Sequence, residues 1–148
     1  MELKDVLTPE TILIDWSPAD KQEAITQLVD ALDRAGQLQD REAVLNDVLE
    51  REQSLSTGLE EGIAYPHARS SGVNRVQMAF GILPGGLPFD SRDETPAIFI
   101  PLMVSPHSGG TPHIYIMAEI VKRLEEVTVR EELLRAETPD EVVDILTG

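Results

Sequence analysis

Cysteine is absent from this sequence, so disulfides, thiolate metal sites and a cysteine nucleophile are all excluded, and a reducing compartment is permitted. Cations are scarce. Twelve Lys and Arg residues stand against 27 Asp and Glu, a formal charge of -15, which works against nucleic-acid phosphates and anionic membrane surfaces and favours basic protein partners or simple solubility. No apolar run approaches the roughly 20 residues a membrane span needs. The start "MELKDVLTPE" lacks the basic and then apolar order of a signal peptide. A cytoplasmic protein with no nucleic-acid partner and no direct membrane insertion is expected. No repeat, low-complexity tract or long Pro/Gly/Ser linker divides the 148 residues, so a single domain over 1-148 is predicted, large enough to bury roughly two-thirds of its unfolded surface. Also missing are a Walker loop, a G-x-G-x-x-G fingerprint and a G-x-S-x-G elbow, which argues against those nucleotide sites and against a serine triad.

What is present alternates in period. "SPADKQEAITQLVDALDRAGQ" predicts an amphipathic helix with Ser17 as N-cap, Pro18 at the first helical position, Ile25, Leu28, Val29 and Leu32 on one face, and Gly36 as its stop. Asp40 is placed to cap a second helix with Val44, Leu45, Val48 and Leu49 inward. The middle reads as strands: "GIAYPH", "RVQMAFGIL" and "AIFIPLMVS" are short apolar or alternating runs, "ETILIDW" holds a further one, and a short extended piece lies around Leu87 to Phe89. Helices return in "TPHIYIMAEIVKRLEE", with Thr111 as cap, Pro112 first, and Ile114, Met117, Ala118, Val121 and Leu124 on a face. Thr128 with Glu131, and Thr138 with Glu141, match the capping-box spacing of two closing helices. Helices before and after strands predict an α/β domain with a mixed sheet between helices.

The chemistry gathers around "TGLEEGIAYPHARSSG", in which His67 follows Pro66 at the end of a predicted strand. Proline pushes the preceding residue toward extended geometry, and strand ends are where α/β sheets hold ligands. Just upstream, Arg51, Ser56, Thr57 and Gly58 offer a guanidinium, two hydroxyls and flexible backbone N–H groups suited to an anion. His113 sits at the second position of a predicted helix, whose free N–H groups and positive dipole end also favour an anion. A neutral imidazole is a nucleophile near pH 7 and, once phosphorylated, a good leaving group, so two histidines near an anion site point to phosphoryl relay. A metal would want a third ligand at fixed spacing, and the remaining histidine, His107, lies in a loop as a solvated residue. No metal or cofactor is expected.

The segment "LEREQSLSTGLEEGIAYPHAR" resembles the active-site segment of the enzyme IIA domains of the fructose, mannitol and nitrogen-regulatory class of the bacterial phosphotransferase system (PTS). "DWSPADKQEAITQLVDALDRAG" resembles that family's first helix, "LMVSPHSGGTPHIYIMAEIVKRL" its loop and helix with a second active-site histidine, and "AETPDEVVDIL" its last helix, so the likeness covers nearly the whole chain. The resemblance implies a mannitol-type IIA fold: one domain with a mixed, roughly five-stranded sheet flanked by helices on both faces. It implies a histidine phosphotransferase in which His67, through Nε2, accepts a phosphoryl group from HPr or a nitrogen-branch HPr-like carrier. The group then passes to a IIB component of a sugar transport system. By the same resemblance His113 stabilises the phosphoryl group and orients the first ring, Arg51 balances its charge, and Ser56 and Thr57 hydrogen-bond its oxygens or the imidazole. The alternative that it implies is a stand-alone nitrogen-branch regulator of partner proteins, toward which a chain with no fused IIB or membrane segment tilts. Departures from the family pattern fall at Tyr65, at Ile114, and at Glu60 and Glu61, which place bulk and charge near His67.

Overall fold

The apolar run 97–105 becomes the centre of the sheet. Strand β4 (Ala97–Ser105) is buried along almost its whole length, as a strand covered on both faces must be. It pairs antiparallel with β3 (Gln77–Leu87) and parallel with β2 (His67–Arg69), and β3 in turn pairs parallel with β1 (Ile12–Leu13). Among the described residues the order β1-β3-β4-β2 makes a mixed sheet of four strands and leaves β2 on an edge. This computed structural model describes residues 1–91, 93–108, 110 and 112–148. Among the described residues no helix is long and apolar enough to cross a membrane.

Period two sorts the side chains to opposite faces. Met78, Phe80 and Ile82 of β3, with Phe99 and Met103 of β4, enter one buried cluster; Ala79 and Leu83, with Ile100, Leu102 and Val104, enter the other. Helices α1 (Lys21–Arg34) and α2 (Arg41–Ser54) cover the second face through Ile25, Leu28, Leu32, Val44 and Val48. The first face is covered by α3 (Pro112–Leu124), α4 (Val127–Arg135) and α5 (Pro139–Thr147) through Ile116, Ile120, Leu133, Val142 and Leu146. Helices therefore flank both faces, as expected. One glycine is required by a close approach: a Cβ at Gly81 would overlap the Trp16 ring, whose Nε1–H donates to the Ile82 carbonyl at 2.9 Å.

Four expectations need correction. The sheet has four strands because the extended piece at 87–89 is no separate strand; β3 runs on to Leu87 past an irregularity between Ile82 and Leu87. "GIAYPH" is not a strand ending at His67, because the strand begins there. Ala64 N–H reaches the Phe99 carbonyl and Met103 N–H reaches the Pro66 carbonyl, at 3.1 and 3.0 Å. The two donors that would complete this ladder belong to Pro66 and Pro101, which have no N–H. The first long helix starts at Lys21, capped by Asp20, whose carboxylate accepts from Glu23 N at 2.8 Å; Ser17 and Pro18 lie outside it. Thr128 is not a cap either, since α4 begins two residues earlier than that cap would place it, with Glu126 at the N-cap. Asp40 and Thr138 do cap α2 and α5, accepting from Ala43 N and Glu141 N at 3.1 and 3.2 Å. The predicted cap Thr111 lies outside the described residues.

Candidate functional site

Edge strand β2 carries the sequence His67-Ala68-Arg69, so alternation turns Ala68 into the α1/α2 core and places His67 and Arg69 together on the α3 side. His67 is half-buried, and its Nδ1 lies 2.9 Å from the Tyr65 carbonyl. A carbonyl can only accept, so Nδ1 carries the proton and the lone pair resides on Nε2. The Tyr65 ring stacks on the imidazole, 5.1 Å between centroids and 9° from parallel.

The second histidine comes from the start of α3. His67 and His113 share a cavity of about 420 Å³ whose other walls are Leu59, Tyr65, Ile114, Met117, Ala118 and Val121. The expected inward face of α3 holds in part: Leu124 is buried, Met117 and Val121 are half-buried against the core, and Ile114 and Ala118 are exposed. The helix buries Ile116, Ile120 and Leu124 in the core, while Ile114 is 54% exposed and the 114/117/118/121 stripe faces the cavity. Two apolar stripes run along one helix, and the sequence pattern of the second is indistinguishable from core.

Arg69, unremarked in the sequence reading, ties this wall together. Its Nη1 donates to the Pro106 carbonyl and its Nη2 to the Gly110 carbonyl, both at 2.9 Å, and Nη2 lies 3.1 Å from the ring nitrogens of His113. Burial and then the Arg69 charge push His113 below its ordinary value. The signal was the i, i+2 spacing to His67. His107 is exposed on the same loop, and among the described residues no group of three or more His, Asp or Glu side chains could hold a metal ion.

The upstream loop is placed differently. Arg51, in the last turn of α2, donates from Nη1 to the Leu55 carbonyl at 3.0 Å. The Ser56 hydroxyl donates to the Phe89 carbonyl at 2.6 Å and accepts from Gly58 N at 3.1 Å. Thr57 is buried, and both its N–H, at 2.9 Å, and its hydroxyl donate to the Glu52 carboxylate. None of Arg51, Ser56 and Thr57 lines the cavity shared by the two histidines. Glu52, also unremarked, was legible as the residue in phase with Val44 and Val48 on the buried side of α2. Burial pushes His67 below its ordinary value, and the charges of Arg51 and His113 act in the same direction, against the Tyr65 carbonyl bond and Glu52. The imidazole is therefore neutral at pH 7. Glu60 and Glu61 are exposed and line a neighbouring cavity with Leu59, Ile63, Val121 and Glu125.

A neutral, oriented histidine facing a second one at a sheet edge, in a mixed α/β domain with helices on both faces, defines the class of site. The family is then settled by comparison. The family model described as "Phosphoenolpyruvate-dependent sugar phosphotransferase system, EIIA 2" matches residues 5–148, and the chain belongs to that family. It is 37% identical to the PTS system fructose-specific EIIA component of Haloferax volcanii, over 99% of this chain and 97% of that protein. It is 33% identical to the fructose-specific EIIABC component of Bacillus subtilis, over 99% of this chain but 23% of that longer protein. Among solved structures, the nitrogen regulatory protein IIA-Ntr of Neisseria meningitidis superimposes with a TM-score of 0.88 at 26% identity, over 98% of this chain and 99% of that one. The IIA mannitol enzyme of Escherichia coli, solved in complex with phosphorylated IIB mannitol, gives 0.77 at 25% identity, over 96% and 97%.

Proposed function

We propose that the protein is a phosphocarrier in which His67 Nε2 accepts a phosphoryl group from a phosphohistidine donor of the HPr type and passes it to a IIB component of a fructose-class sugar transport system. One observation carries this reading: the Nδ1–H of His67 is held by the Tyr65 carbonyl, which leaves the lone pair on Nε2 of a ring that stays neutral at pH 7. As the Nε2–P bond forms, the donor's N–P bond breaks and its imidazole leaves. The ring that attacks needs no prior deprotonation. His113, already neutral, shares the cavity and can donate or accept as the phosphoryl group arrives, while Arg51 and Arg69 supply positive charge on either side. Ser56 and Thr57 act on the group through the loop they brace, because their hydroxyls are already engaged. Expected localisation is cytoplasmic, where such donors are found. The fructose assignment is supported by the 37% relative, and the IIB acceptor by the mannitol complex.

The test is phosphorylation by phosphoenolpyruvate, enzyme I and HPr. Wild type should gain acid-labile phosphate and His67→Ala none. Label retained by His67→Ala would mean that another residue is the nucleophile. The likeness to IIA-Ntr favours a second reading, a regulator whose phosphorylation state controls partner proteins. Rapid loading by HPr with onward transfer to a fructose-class IIB marks the carrier; loading by the nitrogen-branch carrier without transfer to IIB marks the regulator.

A further inference from the structure

Glu52 has a buried carboxylate on a helix otherwise exposed at that end, at 4% accessibility. Its oxygens accept from Thr57 N–H at 2.9 Å, from the Thr57 hydroxyl, and from Lys21 Nζ at 3.0 Å. Lys21 also reaches Asp90 at 3.2 Å and lies over the Phe89 ring, 5.3 Å from its centroid. Burying a carboxylate is costly unless charge and hydrogen bonds compensate it, and here both do. What such a group fixes is the residue bonded to it twice. The Thr57 carbonyl accepts from Tyr65 N–H at 3.2 Å, and the Tyr65 carbonyl accepts from His67 Nδ1–H at 2.9 Å. Hydrogen bonds joined through the backbones of Thr57 and Tyr65 thus link Lys21 and Glu52 to the imidazole.

We propose that Glu52 is a positioning residue for His67: through Thr57 and Tyr65 it holds the Nδ1–H tautomer and so keeps the lone pair on Nε2. This rests on the reading of His67 as the phosphoryl acceptor. An sp3 Cα separates the N–H from the carbonyl at both Thr57 and Tyr65, so the link acts by rigidity: a Thr57 bonded twice to Glu52 fixes the backbone that holds the carbonyl facing His67 Nδ1–H. Holding a ring nitrogen by a partner on its other nitrogen is also how histidine reactivity is directed elsewhere. Glu52 touches neither donor nor phosphate. Its charge is balanced by Lys21, so its action is through geometry and through a modest rise in imidazole basicity.

The experiment combines 15N NMR of the His67 imidazole, which reads tautomer and titration directly, with the phosphorylation rate from HPr. Wild type should show the Nδ1–H form. Glu52→Ala should mix the tautomers and slow phosphorylation about tenfold or more. Glu52→Gln, whose amide can still accept from Thr57 N–H, should keep the tautomer and remain within roughly threefold of wild type while the His67 midpoint falls further, because the raising charge is gone. If Glu52→Ala does not fold, Thr57→Val, which keeps the N–H bond and loses the hydroxyl one, should shift the tautomer part-way and slow transfer roughly threefold. A folded Glu52→Ala or Thr57→Val protein with wild-type tautomer and rate overturns the proposal. Wild type that takes up no phosphate overturns the phosphocarrier reading instead, and the NMR comparison then still decides the role of Glu52.

Discussion

Two polar segments approach His67, and they are built on opposite terms. The one after α2 is saturated: Glu52 has three donors, the Ser56 hydroxyl has an acceptor and a donor, and Thr57 is buried with N–H, hydroxyl and carbonyl all bonded. The one before α3 is bonded, among the described residues, by one side chain, Arg69, which reaches two carbonyls and the His113 ring. Saturation leaves no alternative arrangement of similar energy, whereas one guanidinium can release everything it holds at once. The first segment is a fixed floor that orients the His67 ring; the second is a wall able to adjust and, on the proposed function, would do so as a phosphoryl group enters. Breaking the floor should therefore cost stability and activity together, and breaking the wall activity alone.

The largest effect is expected at Gly58. A Cβ there would lie 2.6 Å from the Phe89 carbonyl oxygen and 2.9 Å from the Ser91 Cα, so backbone must move. Gly58→Ala should destabilise by about 2 kcal/mol in urea unfolding and slow phosphorylation along with it. A variant as stable as wild type would show that the floor yields easily.

Next comes Arg69→Gln, which should leave stability within about 1 kcal/mol, since the bonds lost are partly solvated. Phosphorylation by HPr should fall on the order of tenfold as His113 loses its placement. The His113 midpoint should rise, because the cation that lowers it has been removed. Unfolding as severe as that of Gly58→Ala, with the rate preserved in the folded fraction, would reverse the assignment of floor and wall.

The same contrast explains what the sequence disclosed. Helix phase, Asp40 and Thr138 caps and the two-faced alternation of β3 and β4 depend on neighbours in the chain, and they were legible. His67 and His113 stood out in the sequence as candidate site residues, and the fold brings them to one cavity. Arg69 was hidden because its partners lie 37 to 44 residues away, and only the alternation within "HAR" hinted at it. Glu52 was hidden because acidic residues on helices are usually solvated; its phase with Val48 was the contrary signal. Along the stripe of Ile114, Met117, Ala118 and Val121, Met117 and Val121 do touch the core, but Ile114 and Ala118 are exposed, because periodicity reports an apolar face without saying what covers it. The strand at 63–65 failed for a pairwise reason, the coincidence of Pro66 with Pro101 across the ladder.

The smallest expected effect is that of pH. His67 is pushed below its ordinary 6.5 chiefly by burial, with Arg51 and His113 adding to the shift and the Tyr65 carbonyl and Glu52 opposing it. Attack requires the neutral ring, so phosphorylation should be flat from neutral pH upward and should fall only as pH drops through the lowered midpoint. Stability follows the same sign. Between the folded midpoint and 6.5 the unfolded chain binds more protons at this position than the folded one, so stability is fully present above 6.5 and lost as pH falls through that window. His113 has the same sign, so His67→Gln should remove one part of the acid slope and leave the other. A proton NMR titration of the His67 ring should give a midpoint below 6.5. A midpoint at or above it would mean that the Tyr65 carbonyl bond and the Glu52 charge together outweigh burial, making the saturated segment an electrostatic activator as well as a geometric one.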